Sequence, residues 1–316
     1  MSSLFAGSGQ LVTGSWQPGL FADSEQRVAD SPLMSSCGRR TADSGQRTAG
    51  SGQPPNSPYT RSPMLTSALW GLVQGLTEFL PISSSGHLVL IPALLGIDGP
   101  DLATSAVLHL GTLGAIIWYY RIDIGRLITR PGSQESRTIW MLLVIGTIPA
   151  AIIGLSLSGP IDVIFTEPWI VAVCLMVTGL VLAVATLLPP GSRRVEDGKW
   201  TDAIVVGIAQ AFALLPGISR SGMTITAGLA QGLDRVQAAR YAFLLGVPAI
   251  AGAGLIEGAD LIRIGGFRAS VLVGTVVAGL VGYAAISVLV RLLATRGLLP
   301  FAVYCLVGGA AAYFLV

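Results

Sequence analysis

Charge is scarce in this sequence. Only 11% of its 316 residues are Asp, Glu, Lys or Arg while 52% are hydrophobic, against roughly a quarter charged in soluble proteins. That balance excludes an ordinary water-soluble globule and points to a bilayer. An excess of one sign is also missing. Nineteen basic and 17 acidic side chains leave a net charge of +2, too little for an electrostatic footprint, so nucleic acid is excluded as a partner. Cysteine is nearly absent: Cys37, Cys174 and Cys305 show no paired spacing, and the last two fall in hydrophobic stretches. Neither a disulfide framework nor a thiolate metal site is supported.

Long apolar runs are missing from residues 1–63, which are rich in Ser, Gly, Gln, Arg and Pro without a sustained period. The composition predicts a disordered N-terminal extension, followed by a membrane-embedded domain over 64–316. The extension also lacks the charged, apolar and small-residue regions of a secretory signal. Met64 stands where the hydrophobic part begins, and one expectation is that translation starts there. N-terminal sequencing of native protein that found Ser2 or Ser3 would end that idea.

From Met64 onward, uncharged runs long enough to cross about 30 Å of hydrocarbon recur. Six spans are expected, at 102–120, 138–157, 169–188, 238–256, 269–290 and 298–316. Two further segments are apolar but interrupted. Residues 65–97 carry Glu78, Pro81, three serines and His87 in the middle, and 201–233 carry Pro216, Gly217, Ser219, Arg220 and Ser221. Broken backbone at membrane depth is tolerated only where protein or a water-filled cavity receives the freed polar groups. Each segment therefore reads as a re-entrant helix, loop, helix hairpin. The fold class is all-α: a polytopic membrane protein of about six transmembrane helices plus two such hairpins.

The two interrupted segments repeat each other. At an offset of 136 and without a gap, Gly71 falls on Gly207, Gln74 on Gln210, Ile82 on Ile218, Ser83 on Ser219, Ser85 on Ser221 and Gly86 on Gly222. Three spans lie between them, an odd number, so the second hairpin enters from the opposite face. That is an inverted repeat, in which sites form near the midplane from broken helices. Basic residues cluster at one set of span ends (Arg121, Arg126, Arg130, Arg137, Arg193, Arg194 and others), whereas the other set has only Arg263 and Arg268. The rich side is expected to be cytoplasmic, which opens the first hairpin to the outside. The extension's five arginines then lie outside, mildly against the rule.

The first loop reads QGLTEFLPISSSGH and the second PGISRSGMTI. Gln74 and Glu78 are four apart, so on a helix they present an amide and a carboxylate to one point. Such a pair suits a hard divalent cation, Mg²⁺ or Ca²⁺, with phosphate and water as further ligands. Ser83, Ser84, Ser85, Gly86 and His87 follow the Pro81 break, where hydroxyls and amides at a new helix start favour phosphate. Arg220 offers a planar fork for phosphate oxygens, with Ser219, Ser221 and Thr224 around it. A buried Arg needs an anionic partner, for which Glu78 and a phosphate are the candidates. Taken singly, each feature has a plainer reading: helix-to-helix glue for Gln74 and Glu78, back-bonding for the serines, a hydrogen-bonded core residue for His87, a local cap for Thr224. Their joint occurrence in a duplicated frame favours a site. His109, midway along a Leu-rich span, reads as a structural histidine.

With these motifs the sequence resembles the undecaprenyl pyrophosphate phosphatase family, integral membrane enzymes of the bacitracin-resistance type, over nearly all of residues 64–316. Gln74 and Glu78 match the family's Glu-or-Gln, three residues, Glu signature. Ser83, Ser84, Gly86 and His87 match its Ser-Ser-x-Gly-His segment, and Pro216, Gly217, Ser219, Arg220, Ser221 and Gly222 its Pro-Gly-x-Ser-Arg-Ser-Gly segment. The resemblance implies hydrolysis of undecaprenyl pyrophosphate to undecaprenyl phosphate, a divalent-metal requirement, and an active site open to the outer face of the cell membrane. It implies Ser84 as nucleophile, with His87 taking its proton; His87 as direct nucleophile is the rival. Arg220 would clamp the diphosphate, Ser83, Ser85, Ser219, Ser221 and Thr224 would bind it, and Glu78 with Gln74 would hold the cation. Gln74 stands where Glu is more frequent, which removes one negative charge: either metal affinity falls, or Gln74 only orients a water. Expected partners are the polyprenyl pyrophosphate lipid, the bilayer and a second copy of the chain in a homo-oligomer. The competing function is a lipid or small-anion carrier or flippase, the usual user of an inverted repeat. A carrier has no need of a Ser and a His beside a metal-binding Glu. A non-catalytic membrane protein is a third, weaker option.

Overall fold

A computed structural model describes residues 62–263 and 268–316. Apart from its last two residues, the expected N-terminal extension lies outside the described residues. Helix α1 (Pro63–Phe79) starts where the Ser62 side chain accepts from the Leu65 amide and Pro63 occupies the first turn, where its missing N–H costs nothing. It stops at Leu80, the residue before Pro81, as the steric demand of proline on its predecessor requires. Helix α2 (Ser84–Leu95) then begins under a Ser83 cap and ends at Gly96 in the left-handed region.

The chain continues as α3 (Leu102–Tyr119), α4 (Arg121–Thr129), α5 (Gln134–Ser156), α6 (Ser158–Phe165) and α7 (Pro168–Ala185). After a 3₁₀ turn at Val195–Asp197 come α8 (Trp200–Phe212), α9 (Arg220–Ala230), α10 (Arg235–Arg263), α11 (Ala269–Thr295) and α12 (Leu299–Leu315). The all-α, polytopic membrane architecture follows. Among the described residues, four helices are long and apolar enough to cross a bilayer: α5, α7, the Arg235–Leu255 part of α10, and α11. The other two expected spans are shorter apolar helices, Thr104–Tyr119 within α3 and α12 with 17 residues. At 1.5 Å per residue, 17 residues reach about 25 Å, the short end of what spans. Helices α4 and α6 were not anticipated. Arg121, Asp123 and Arg126 make α4 too polar to cross.

Packing follows the duplication. The first arm of each hairpin lies on a helix of the other half, α1 on α11 and α8 on α5, while α3 pairs with α10 and α7 with α12. Exchanging the halves maps this pattern onto itself. The glycines read as duplicates do the same job: a Cβ on Gly71 would run into the Gly274 carbonyl, and one on Gly207 would come within 2.7 Å of the Gly146 carbonyl oxygen. Small residues at such crossings let backbones approach where no hydrophobic effect drives helices together. The loops are held in parallel ways. Thr178 on α7 donates to the Gly217 carbonyl at 2.9 Å, and the Cys305 thiol on α12 approaches the carbonyl of Pro81, the equivalent position, at 3.6 Å.

Candidate active site

Two broken helices deliver the chemistry. Ser83 caps α2 by accepting from the Gly86 amide at 3.2 Å, and Ser219 caps α9 by accepting from the Gly222 amide at 3.1 Å. The hydroxyl of Ser83 also meets that of Ser85, and Ser219 that of Ser221, at 3.3 and 3.2 Å. The hairpins touch tip to tip: Ser221 donates to the Leu80 carbonyl at 3.3 Å, and Gly86 packs on the backbone of Gly217. Two helix N-termini thus converge, and both favour an anion.

Glu78, buried at 7% exposure, is the centre of the arrangement. Its Oε1 accepts from Arg220 Nη2. Its Oε2 accepts from the Ser84 hydroxyl at 2.5 Å and from Gln74 Nε2 at 2.9 Å. The spacing of four between Gln74 and Glu78 on α1 explains the second contact. Arg220 also donates to the Gly246 carbonyl at 3.3 Å. Removing either member of the Glu78 and Arg220 pair would leave a buried charge without its partner, at a cost of about 3–5 kcal/mol.

A cavity of about 300 Å³ opens beside this cluster. Glu78, Ser83, Ser84, Ser85, Ser219 and Arg220 line its polar end, and Phe165, Leu214, Ile218, Ala249 and Ile250 belong to its apolar part. The cavity is therefore polar at one end and apolar at the other. Not every anticipated residue faces it. Ser221 is spent on Ser219 and Leu80, and Thr224 donates to the Arg220 carbonyl of its own helix at 2.7 Å. His87 lies outside the lining: its Nδ1 bonds the Ser83 carbonyl and its Nε2 the Tyr304 hydroxyl, both at 2.7 Å.

His109 is where the sequence reading fell short. Its Nδ1 bonds the Ser105 carbonyl at 2.7 Å, as a structural histidine would. Its Nε2, however, stands 3.4 Å from Glu78 Oε2, and both His109 and Ser105 line the cavity. No sequence signal links position 109 to position 78; only the packing of α3 against α1 and α10 does.

The residues present suit a divalent cation. Gln74 Oε1 is buried and has no hydrogen-bond partner, an orphaned acceptor next to a carboxylate on the same helix face. Amide and carboxylate oxygens are the donors that Mg²⁺ and Ca²⁺ prefer. Among the described residues no group of three or more His, Cys, Asp or Glu could hold a metal ion. The remaining ligands would have to come from phosphate and water.

Fold and site together define a polytopic membrane protein with a buried carboxylate, serine and arginine centre. Residues 67–311 match the family of the bacitracin resistance protein BacA, and the chain belongs to that family. It is similar to the undecaprenyl-diphosphatase of Nocardioides sp., 41% identical over 265 residues, which span 80% of this chain and 96% of the relative. The undecaprenyl-diphosphatase of Geobacter metallireducens is 40% identical over 80% of this chain and 98% of its own length. That of Myxococcus xanthus is 44% identical over 76% and 85%.

Proposed function

We propose that this protein is an undecaprenyl-diphosphatase, hydrolysing undecaprenyl pyrophosphate to undecaprenyl phosphate and inorganic phosphate. The observation that carries the reading is the Ser84 hydroxyl donating to Glu78, in the wall of a cavity that Arg220 also lines. That arrangement pairs a nucleophile with a base. Family membership and the names of relatives that align over most of their length support the same reaction, with recycling of the lipid carrier and bacitracin resistance as its consequences. A carrier or flippase is not favoured, because transport gives no use to a serine hydrogen-bonded to a carboxylate.

Ser84 Oγ attacks the terminal phosphorus while its proton passes to Glu78 Oε2. The bond from that phosphorus to the bridging oxygen breaks, and undecaprenyl phosphate leaves. Water then attacks the phosphoseryl group, and Glu78 returns the proton to Ser84 as inorganic phosphate departs. Arg220, with the amides at the starts of α2 and α9, holds phosphate oxygens where charge develops. Ser83, Ser85 and Ser219 offer hydroxyls to the same oxygens. A divalent cation held by Glu78 and Gln74 would offset charge on the diphosphate.

The membrane concerned is the cell membrane, with the site toward the outer face. Supporting this, the cavity is lined from the Arg-poor ends of α3, α6 and α10, at Ser105, Phe165 and Gly254. The arginine-rich ends lie at the other side, where Arg240 pairs with Asp123 and Glu196. Assembly into a homo-oligomer is part of this proposal.

Purified full-length protein in detergent should release phosphate from undecaprenyl or farnesyl pyrophosphate in the presence of Mg²⁺ or Ca²⁺, and Glu78→Ala and Arg220→Ala should not. Wild-type protein that released none would refute the phosphatase.

A further inference from the structure

Ser83 is the one non-glycine residue with positive φ among the described residues, at φ 67° and ψ 100°. Such a conformation is strained for an L-residue with a side chain and persists only where the surroundings over-determine it. The duplicated hairpin supplies an internal control. There the equivalent residue, Ser219, has an ordinary φ of −76°, and the positive φ falls on Gly217, which adopts it freely.

The surroundings differ at the backbone amide, where Ser219 donates to Thr178 Oγ1 at 3.0 Å, two residues earlier, where Pro81 stands in place of Gly217, and at the carbonyl of the capping serine. The Ser83 carbonyl receives the His87 backbone amide at 3.2 Å and also the His87 ring Nδ1 at 2.7 Å. A carbonyl can only accept, so Nδ1 carries the hydrogen, and in the neutral ring Nε2 is then an acceptor. Tyr304 on α12 fills that role by donating its hydroxyl at 2.7 Å, with the two rings nearly parallel at 10° and 5.7 Å between centroids. Both ring nitrogens are spent, and the ring does not line the cavity. In the second hairpin, Met223 stands at the position of His87, and the Ser219 carbonyl receives only its backbone amide, at 2.9 Å. Strain and ring occur together, in the hairpin that carries the nucleophile.

We infer that His87 and Tyr304 form a clamp that holds Ser83 in its left-handed turn and so places the Ser84 hydroxyl on Glu78, which makes both of them positioning residues. Tyr304, on the last helix, lends a fixed point outside the loop, so the geometry of Ser84 depends on the docking of α12 against α2. The inference rests on reading Ser84 and Glu78 as the reacting pair.

The test compares His87→Ala, His87→Asn and Tyr304→Phe in the full chain, assayed for phosphate release in detergent. His87→Ala should lower kcat about 100-fold, the scale of a misplaced reacting group. The Asn amide nitrogen takes the place of Nδ1 and can still donate to the Ser83 carbonyl. His87→Asn should therefore recover to within about tenfold of wild type and keep its pH profile. Tyr304→Phe removes one hydrogen bond and should lower kcat about fivefold with KM little changed. His87→Asn as inactive as His87→Ala, or Tyr304→Phe kinetically identical to wild type, would overturn the clamp. His87→Asn and Tyr304→Phe decide the matter even where His87→Ala does not fold. Failure of wild type itself would instead count against the phosphatase reading.

Discussion

Ser84 and Arg220 stand at equivalent positions of the two duplicated hairpins, 136 residues apart, and they hold opposite oxygens of one carboxylate: Ser84 donates to Glu78 Oε2 and Arg220 to Oε1. Each is the first residue of its re-entrant second arm. Duplication therefore placed two helix starts face to face, and divergence made one a hydroxyl and the other a guanidinium. Glu78 has no counterpart, because Leu214 occupies the matching position, so the centre is two-sided in shape and one-sided in chemistry.

If Glu78 takes the Ser84 proton, the isosteric Glu78→Gln should lower kcat by about 10²–10⁴-fold while the protein remains folded. Ser84→Ala should be inactive and should form no phosphoenzyme. Trapping with labelled substrate after rapid acid quench checks both, and a covalent adduct persisting in Ser84→Ala would discard Ser84 as nucleophile.

Arg220→Lys is not a conservative change here, since the guanidinium serves Glu78 and the Gly246 carbonyl at once. We expect it to lower kcat/KM by about 10²–10³-fold. Steady-state kinetics over a substrate series reads this directly, and near-wild-type values would show that a point charge suffices.

Chelation should abolish turnover, and added Mg²⁺ or Ca²⁺ should restore it. Gln74→Glu puts a second carboxylate beside Glu78 and should lower the half-saturating cation concentration, because charge count tunes such sites. A cation titration of phosphate release decides; an unchanged midpoint would mean that Gln74 does not touch the ion.

His109→Leu should lower kcat by about tenfold or more by freeing the Glu78 carboxylate to turn from Ser84. Wild-type turnover in this variant would return His109 to a purely structural role.

Gly207→Leu should destabilise the fold by about 1–3 kcal/mol or more, since the side chain has only the Gly146 backbone to enter. Thermal unfolding in detergent measures this, and a change on the exposed face of the same helix, at Ile208, should leave the midpoint nearly unchanged.

Much of the site was legible before any coordinates. Pro81 and Pro216 with Gly217 announced the breaks, and the gap-free offset made the hairpins a pair, because neighbours in sequence are constrained by backbone sterics alone. The meeting of Glu78 with Arg220 was anticipated from the cost of burying a lone charge. What escaped was direction. His87 turns out of the cavity to Ser83 and Tyr304, while His109 turns in toward Glu78. Tyr304 lies 217 residues from His87 and His109 lies 31 from Glu78, and no periodicity spans such distances.

By itself the sequence determined the solvent this protein folds in, the helical class, the two breaks and the inventory of groups at them. Those follow from local rules: how many uncharged residues cross hydrocarbon, where proline ends a helix, which side chains cap the next one. Only the tertiary structure decided which nitrogen meets which oxygen. A side chain's partner depends on how α3 and α12 settle against the hairpins, and in a membrane that packing is set by shape and small-residue contacts, which no single segment encodes.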